Sequence, residues 1–153
     1  MPSLPKIVVQ WQQFDELTPP ALYELLRFRQ EIFVVEQRSP YPDLDGLDRP
    51  ASHLSLRVGD ALAGYLRLLP PKDAASAVRI GRVAVTADLR GHGLGRVLMT
   101  EALSLCRERY AERPITLSAQ LHLAPFYRGL GFSTISEPYE EFGIAHIDMR
   151  MAR

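Results

Sequence analysis

Cysteine is almost absent from this chain: Cys106 is the only one. An intrachain disulfide is thereby excluded. No CxxC pair or Cys/His spacing of the zinc type is present, so no metal is expected. Nor is there an excess of either charge, since Lys+Arg and Asp+Glu both number 18. Phosphate backbones and anionic membranes call for a basic surplus, so neither nucleic acid nor a membrane is the expected partner. No apolar run approaches the roughly 20 residues that cross a bilayer. The opening MPSLPKIVVQW lacks the apolar core and small-residue cleavage site of an export signal. Together these absences lead to an expected cytoplasmic location.

What is present is ordinary for a globular protein. The 153 residues are 46% hydrophobic and 24% charged, enough for one domain with a real core spanning 1–153. A first strand is expected from Lys6 to Trp11. A helix follows from Pro20, with Thr18 as N-cap and Pro19 and Pro20 in its first turn. Leu22, Leu25, Leu26 and Phe33 keep helical spacing, with a break near Arg29 that makes two short helices in series. Ser39 to Pro50 is rich in proline, aspartate and glycine and reads as a loop, with Asp43, Asp45 and Asp48 as turn-formers. Those aspartates lack the twelve-residue calcium pattern with its terminal glutamate.

Two runs starting at His53 and Ala61, joined by Gly59-Asp60, read as an antiparallel hairpin. Val78 to Val85 is a further strand, and Gly81 inside it hints at a bulge. Gly93 to Tyr110 is the clearest helix, with Leu94, Val97, Leu98, Ala102, Leu105 and Cys106 on one face. A strand from Ile115, a short helix from Leu123 ending near Gly129 and Gly131, and strands from Phe132 and His146 complete the chain. The order β-αα-β-β-β-α-β-α-β-β implies an α/β (mixed α+β) fold, one mixed sheet flanked by helices.

The stretch LRGHGLGR stands between a strand and that long helix, with Gly91, Gly93 and Gly95 at alternate positions. Glycines there let backbone amides approach an anion, and the helix start adds unpaired donors and the positive end of its dipole. Arg90 and Arg96 offer charge-assisted hydrogen bonds. The loop is neither a GxxxxGK phosphate loop nor a GxGxxG dinucleotide loop, since Arg96 stands where the last glycine would be. On the glycines alone, a plain strand-to-helix turn is an equal alternative.

The flanking residues favour the anion. Arg90-Gly91-His92-Gly93-Leu94-Gly95 resembles the Gln/Arg-x-x-Gly-x-Gly/Ala signature of the GNAT superfamily of N-acetyltransferases. PFYRGLGF resembles that family's second cofactor segment, through Tyr127, Gly131 and Phe132. LRFRQEIFVVEQRSPYPDLDGLD, IGRVAV, LSAQLHLAPFY and YEEFGIAHIDM extend the resemblance to the ElaA-like subgroup over nearly the whole chain. The resemblance implies a central, mostly antiparallel sheet, acetyl-CoA as cosubstrate and an amine as acceptor. It implies pyrophosphate contacts from Arg90, Gly91, His92, Gly93, Leu94, Gly95 and Arg96. The pantetheine arm would lie along Val83, Ala84 and Val85. Gln120 stands where many members place a cofactor-binding asparagine. Arg82 stands where many place a glutamate base, and an arginine stays protonated.

Acetyl transfer to an amine needs a base, a donor to the carbonyl oxygen and a proton for the departing thiolate. The resemblance gives Tyr127 the last role, and a backbone N–H near Val83 to Val85 the second. Glu36 is the first choice of base, since a carboxylate beside the apolar IFVV is open to partial desolvation; a surface glutamate or a structural hydrogen bond is the competing reading. His53, His122, His146 and a water relay are the rivals. The acidic stretches Asp43 to Asp48 and Glu137 to Glu141 either attract a cationic amine or are solvated surface. A non-catalytic acyl-CoA sensor is the alternative function. LRFRQEIF also faintly resembles acyl-homoserine lactone synthases. Oligomeric state is open, a homodimer included.

Overall fold

A computed structural model describes residues 5–152. One eight-stranded sheet organises them, with strand order β1-β2-β3-β4-β5-β8-β6 and β7 also paired to β8. The strands are β1 (Ile7–Gln13), β2 (Ser52–Val58), β3 (Ala61–Leu69), β4 (Val78–Val85), β5 (Ile115–Gln120), β6 (Ser133–Thr134), β7 (Tyr139–Glu141) and β8 (Ile144–Met151). All neighbours are antiparallel except β4 and β5. The helices are α1 (Pro19–Gln30), α2 (Leu94–Arg109) and α3 (Ala124–Gly129).

Local chemistry explains the helix starts. Thr18 caps α1 by accepting from the Ala21 amide at 3.2 Å, with proline in the first turn, as expected. The helical period breaks at Gln30, next to the expected Arg29, but the chain does not divide into two separate helices. The chain instead continues without interruption into a wider π-helical stretch, Glu31–Glu36. Such a turn slips the side-chain phase, so Ile32 packs inward while Phe33 is left for a neighbouring cleft.

α2 packs on the sheet through Leu94, Leu98, Met99, Ala102, Leu105 and Cys106, all buried with Leu54, Leu66, Leu68 and Ile80. The stripe expected from its 3.6-residue period is largely the core-facing one, with Val97 only partly buried and Met99 and Leu103 joining it. β7 went unforeseen. Its Tyr-Glu-Glu sequence carries no apolar alternation, and pairing with β8 through a Phe142-Gly143 turn creates it.

Two irregularities in β4 shape the surface beside it. The strand is kinked opposite Leu66, between the pairs Tyr65–Ala84 and Arg67–Gly81. The residue with left-handed backbone is Arg82 (φ 56°), not Gly81, although the glycine had pointed to the right place. β4 and β5 also pair only at Val78–Ile115 and Arg79–Thr116. Beyond those two pairs the strands part, and the β5-facing edge of β4 has no strand partner.

Candidate active site

The gap between β4 and β5 opens into a cleft of about 520 Å³. Arg82 and Val83 line it from β4, Ser118 and Gln120 from β5, and Tyr127 from α3. An unpaired strand edge offers backbone N–H and C=O groups to an extended ligand, which is how a peptide-like arm docks on a sheet. Val83 and Gln120 both line this gap. Ala84 is buried in the core, so only its backbone is available.

The glycine loop lies past the C-terminal end of β4. Gly91 and Gly93 have φ of 85° and 80°, and a Cβ built on either meets nothing within 4 Å. Gly93 is the N-cap of α2, yet no side chain caps this helix and its first turn holds no acidic residue. The contrast with Thr18 on α1 is informative. Here the orphan amides and the positive dipole end are left free for an anion. Leu94 is buried, so it can contribute its amide alone. Gly95 lies beside α3, and a Cβ there would be in ordinary contact with the Phe126 ring at 3.6 Å. His92 and Arg96 are exposed beside the loop.

Arg90 does something else. Its Nε donates to the Val85 carbonyl at 2.9 Å, and its two Nη atoms donate to the Glu36 carboxylate at 2.6 and 3.0 Å. It is a strut between β4 and the π-helical turn, already engaged rather than free for pyrophosphate. The same pair corrects the expectation for Glu36. Its side chain is 38% exposed, held by an arginine, and absent from the cleft lining. Neither desolvation nor position equips it as the base. Adjacency to IFVV misled because the π-helical turn carries Glu36 outward.

Tyr127 is buried between Phe126 and Phe132, at ring distances of 5.0 and 6.2 Å, both edge-on. Desolvation pushes its phenol up to about 12, so it keeps its proton throughout the neutral range. Among the histidines, His53 is fully buried. Its Nε2 donates to the Asp48 carbonyl at 2.8 Å and its Nδ1 accepts from the Tyr65 hydroxyl. Burial lowers its affinity for a proton, and both nitrogens are occupied. His122 is exposed and does not line the cleft, whereas His146 does.

The aspartates of the 39–50 loop are more than turn-formers. Arg29, Asp43, Arg82, Asp45, Arg67 and Asp48 form a closed ring in which each charge pairs with two of opposite sign. Burial alone would raise Asp45 and Asp48. The hydrogen bonds and charges of the arginines outweigh it and hold both carboxyls below the usual range. Arg82 also lies over the Tyr41 ring, 4.7 Å from its centre. The ring was missed in the sequence, although a signal existed. Arg29 sits on the buried stripe of its helix between Leu25 and Ile32, where a solvated residue has no place.

A polar wall faces this ring across the cleft. Thr116, Ser118 and Gln120 alternate with buried residues on β5, as His146 and Asp148 do on β8. Asp148 Oδ1 accepts from Ser118 Oγ at 2.8 Å and from the Tyr139 hydroxyl at 2.6 Å. Glu141 lines the same cleft.

Comparison with known proteins agrees with this geometry. Residues 33–153 match the family described as "Acetyltransferase (GNAT) domain". The chain is 41% identical over 146 residues to protein ElaA of Escherichia coli (strain K12), covering 93% of this chain and 95% of that protein. The crystal structure of Escherichia coli ElaA superposes with a TM-score of 0.90 at 40% identity, covering 95% of this chain and 99% of that one. A crystal structure of an acyl-CoA N-acyltransferase from Pseudomonas aeruginosa does so with a TM-score of 0.90 at 41% identity, covering 96% and 100%. A CoA-dependent acyl-homoserine lactone synthase, at 17% identity and a TM-score of 0.79 over 96% of this chain and 83% of that one, shares the fold alone. The parted strands, the uncapped glycine helix and the family match converge: this chain belongs to the GNAT family of acyltransferases, in its ElaA-like branch.

Proposed function

We propose that residues 1–153 act as one acetyltransferase domain that moves an acetyl group from acetyl-CoA to a primary amine. The acceptor is a small molecule or a protein side chain, and the amine attacks the thioester directly. The observation that carries this reading is the parting of β4 from β5 with Tyr127 lining the gap. A cytoplasmic location is part of the same proposal.

The residues fit the cosubstrate. The space beside Gly91 and Gly93 is open and the first turn of α2 has no side-chain cap, which suits a pyrophosphate, and the free edge of β4 from Val83 to Val85 suits the pantetheine arm. Gln120 lines the same cleft from β5. Bound there, acetyl-CoA supplies the activated acyl group. Tyr127 Oη holds the proton that the departing sulfur takes. Backbone N–H groups at the kink of β4 are the donors to the carbonyl oxygen. Glu141, half-buried on the cleft wall, favours a cationic acceptor.

The test is incubation with acetyl-CoA and a panel of amines, reading free thiol. Release above background with at least one amine is expected. Tight acyl-CoA binding with no turnover would instead favour the sensor reading. A separate prediction concerns the loop. In Gly93→Asp the left-handed backbone (φ 80°) is strained by about 1–2 kcal/mol, aspartate being among the side chains that bear it best. Its carboxylate then occupies the seat of the pyrophosphate. The fold should persist, with a melting temperature lowered by only about 2–8 °C, while calorimetry shows acyl-CoA affinity falling by about 10- to 100-fold, the worth of a lost charge-assisted hydrogen bond. Unchanged affinity would remove the loop from the binding site.

A further inference from the structure

We propose that His146 is the general base of the transfer, with Nε2 as the proton acceptor. This rests on the acetyltransferase reading and adds the residue it lacks. His146 lines the same cleft as Tyr127; on β8 it pairs with Gln120, the end of β5 that leads into α3. Its Nδ1 lies 2.7 Å from the Ile144 carbonyl oxygen. A carbonyl only accepts, so Nδ1 carries the hydrogen, and the lone pair of the neutral ring is on Nε2. Among the described residues Nε2 has no hydrogen-bond partner.

The ring is also held in place. Tyr139 of β7 stacks on it, with centroids 6.0 Å apart and planes 21° from parallel. The Tyr139 hydroxyl is in turn anchored on Asp148, which Ser118 also engages. Tyr139 and Asp148 are thus positioning residues. This arrangement fixes both the tautomer and the orientation of an imidazole, the two things a proton acceptor needs. The charged groups sharing its surroundings carry both signs. Glu141 and Asp148 lie on β7 and β8, and Asp45, Arg67, Arg79 and Arg82 line the cleft from the loop, β3 and β4.

Every proton has a destination. The acceptor ammonium gives one proton to Nε2. Its freed lone pair forms the C–N bond while the C–S bond breaks, and the sulfur takes the Tyr127 proton. The nitrogen, now acylated and strongly acidic, returns a proton to the tyrosinate. The imidazolium releases its own to solvent. One ammonium and one thioester become one amide, one thiol and one proton.

His146→Gln and His146→Ala test the assignment, with wild-type turnover of an amine measured first. Turnover in both variants is expected to fall by about 10²- to 10⁴-fold, with acyl-CoA affinity and melting temperature unchanged. The acid limb of the wild-type kcat/KM profile should disappear in His146→Gln. Nitrogen NMR of the free wild-type protein should show the hydrogen on Nδ1. Full turnover in either variant, an acid limb that persists, or a hydrogen on Nε2 overturns the base alone. A wild type that acetylates no amine overturns the transferase reading and the base with it.

Discussion

Tyr127→Phe is expected to lower turnover by about 10²- to 10⁴-fold while leaving acyl-CoA affinity and melting temperature where they are. The change removes one oxygen from a ring that packs edge-on against Phe126 and Phe132, and the phenylalanine keeps that packing. No hydrogen bond from the hydroxyl to the described residues is lost, so stability has little reason to change. The chemistry does. A thiolate of ordinary cysteine-like basicity, about 8.5, leaves more easily when it is protonated as it departs. A phenol pushed up to about 12 by burial is a reluctant donor at equilibrium. Its transfer is completed by the acidic proton on the acylated nitrogen, so the tyrosinate need not persist. Steady-state kinetics with saturating acyl-CoA measures the effect. Activity equal to wild type would take the acid role away from Tyr127 and leave it a packing residue.

Arg29→Met is expected to destabilise the fold by about 3–5 kcal/mol, the usual cost of removing one partner from a buried ion pair. That is a large share of the roughly 5–15 kcal/mol that holds a domain folded. Arg29 is fully buried and its guanidinium donates to Asp43 Oδ2 at 2.9 Å, to Asp48 Oδ1 at 2.6 Å and to the Asp43 carbonyl at 2.9 Å. Methionine fills the space but leaves Asp43 and Asp48 with one cation each. Urea unfolding followed by circular dichroism measures the loss. A cost below about 1 kcal/mol, that of an exposed pair, would mean that the ring is not structural.

The same ring sets the behaviour in acid. Asp45 and Asp48 have folded-state values below their unfolded ones. Their contribution is therefore complete above about pH 4, the unfolded carboxylate range, and is lost as pH falls through the folded values. His53 acts in the same direction at higher pH. Burial keeps its ring neutral in the fold, so the unfolded chain gains protons first as pH drops below about 6.5. The ring also joins stability to the site, since Asp45, Arg67 and Arg82 are at once its members and part of the cleft wall.

Local physics was legible in the residues themselves. The 3.6-residue stripe of α2, the Thr18 cap and the glycines before Leu94 each depend on neighbours a few positions away. All three stand in the structure as expected. The alternation of Thr116, Ser118 and Gln120 with Ile115, Leu117 and Ala119 was equally local.

The distribution of charge was decided elsewhere. Glu36 looked like a base beside an apolar run, until Arg90, 54 positions away, took its carboxylate. Three aspartates looked like turn-formers until arginines from α1, β3 and β4 closed a ring on them. Tyr139 and His146 came together only because β7 folds back on β8. The sequence by itself determined the helices, the glycine seat and the family, because caps, periods and left-handed glycines are set by short-range sterics and hydrogen bonding. Tertiary structure alone decided which ionisable groups are spent on one another and which face the cleft. A charge takes its partner from whatever the fold brings within a few ångströms, at any distance along the chain.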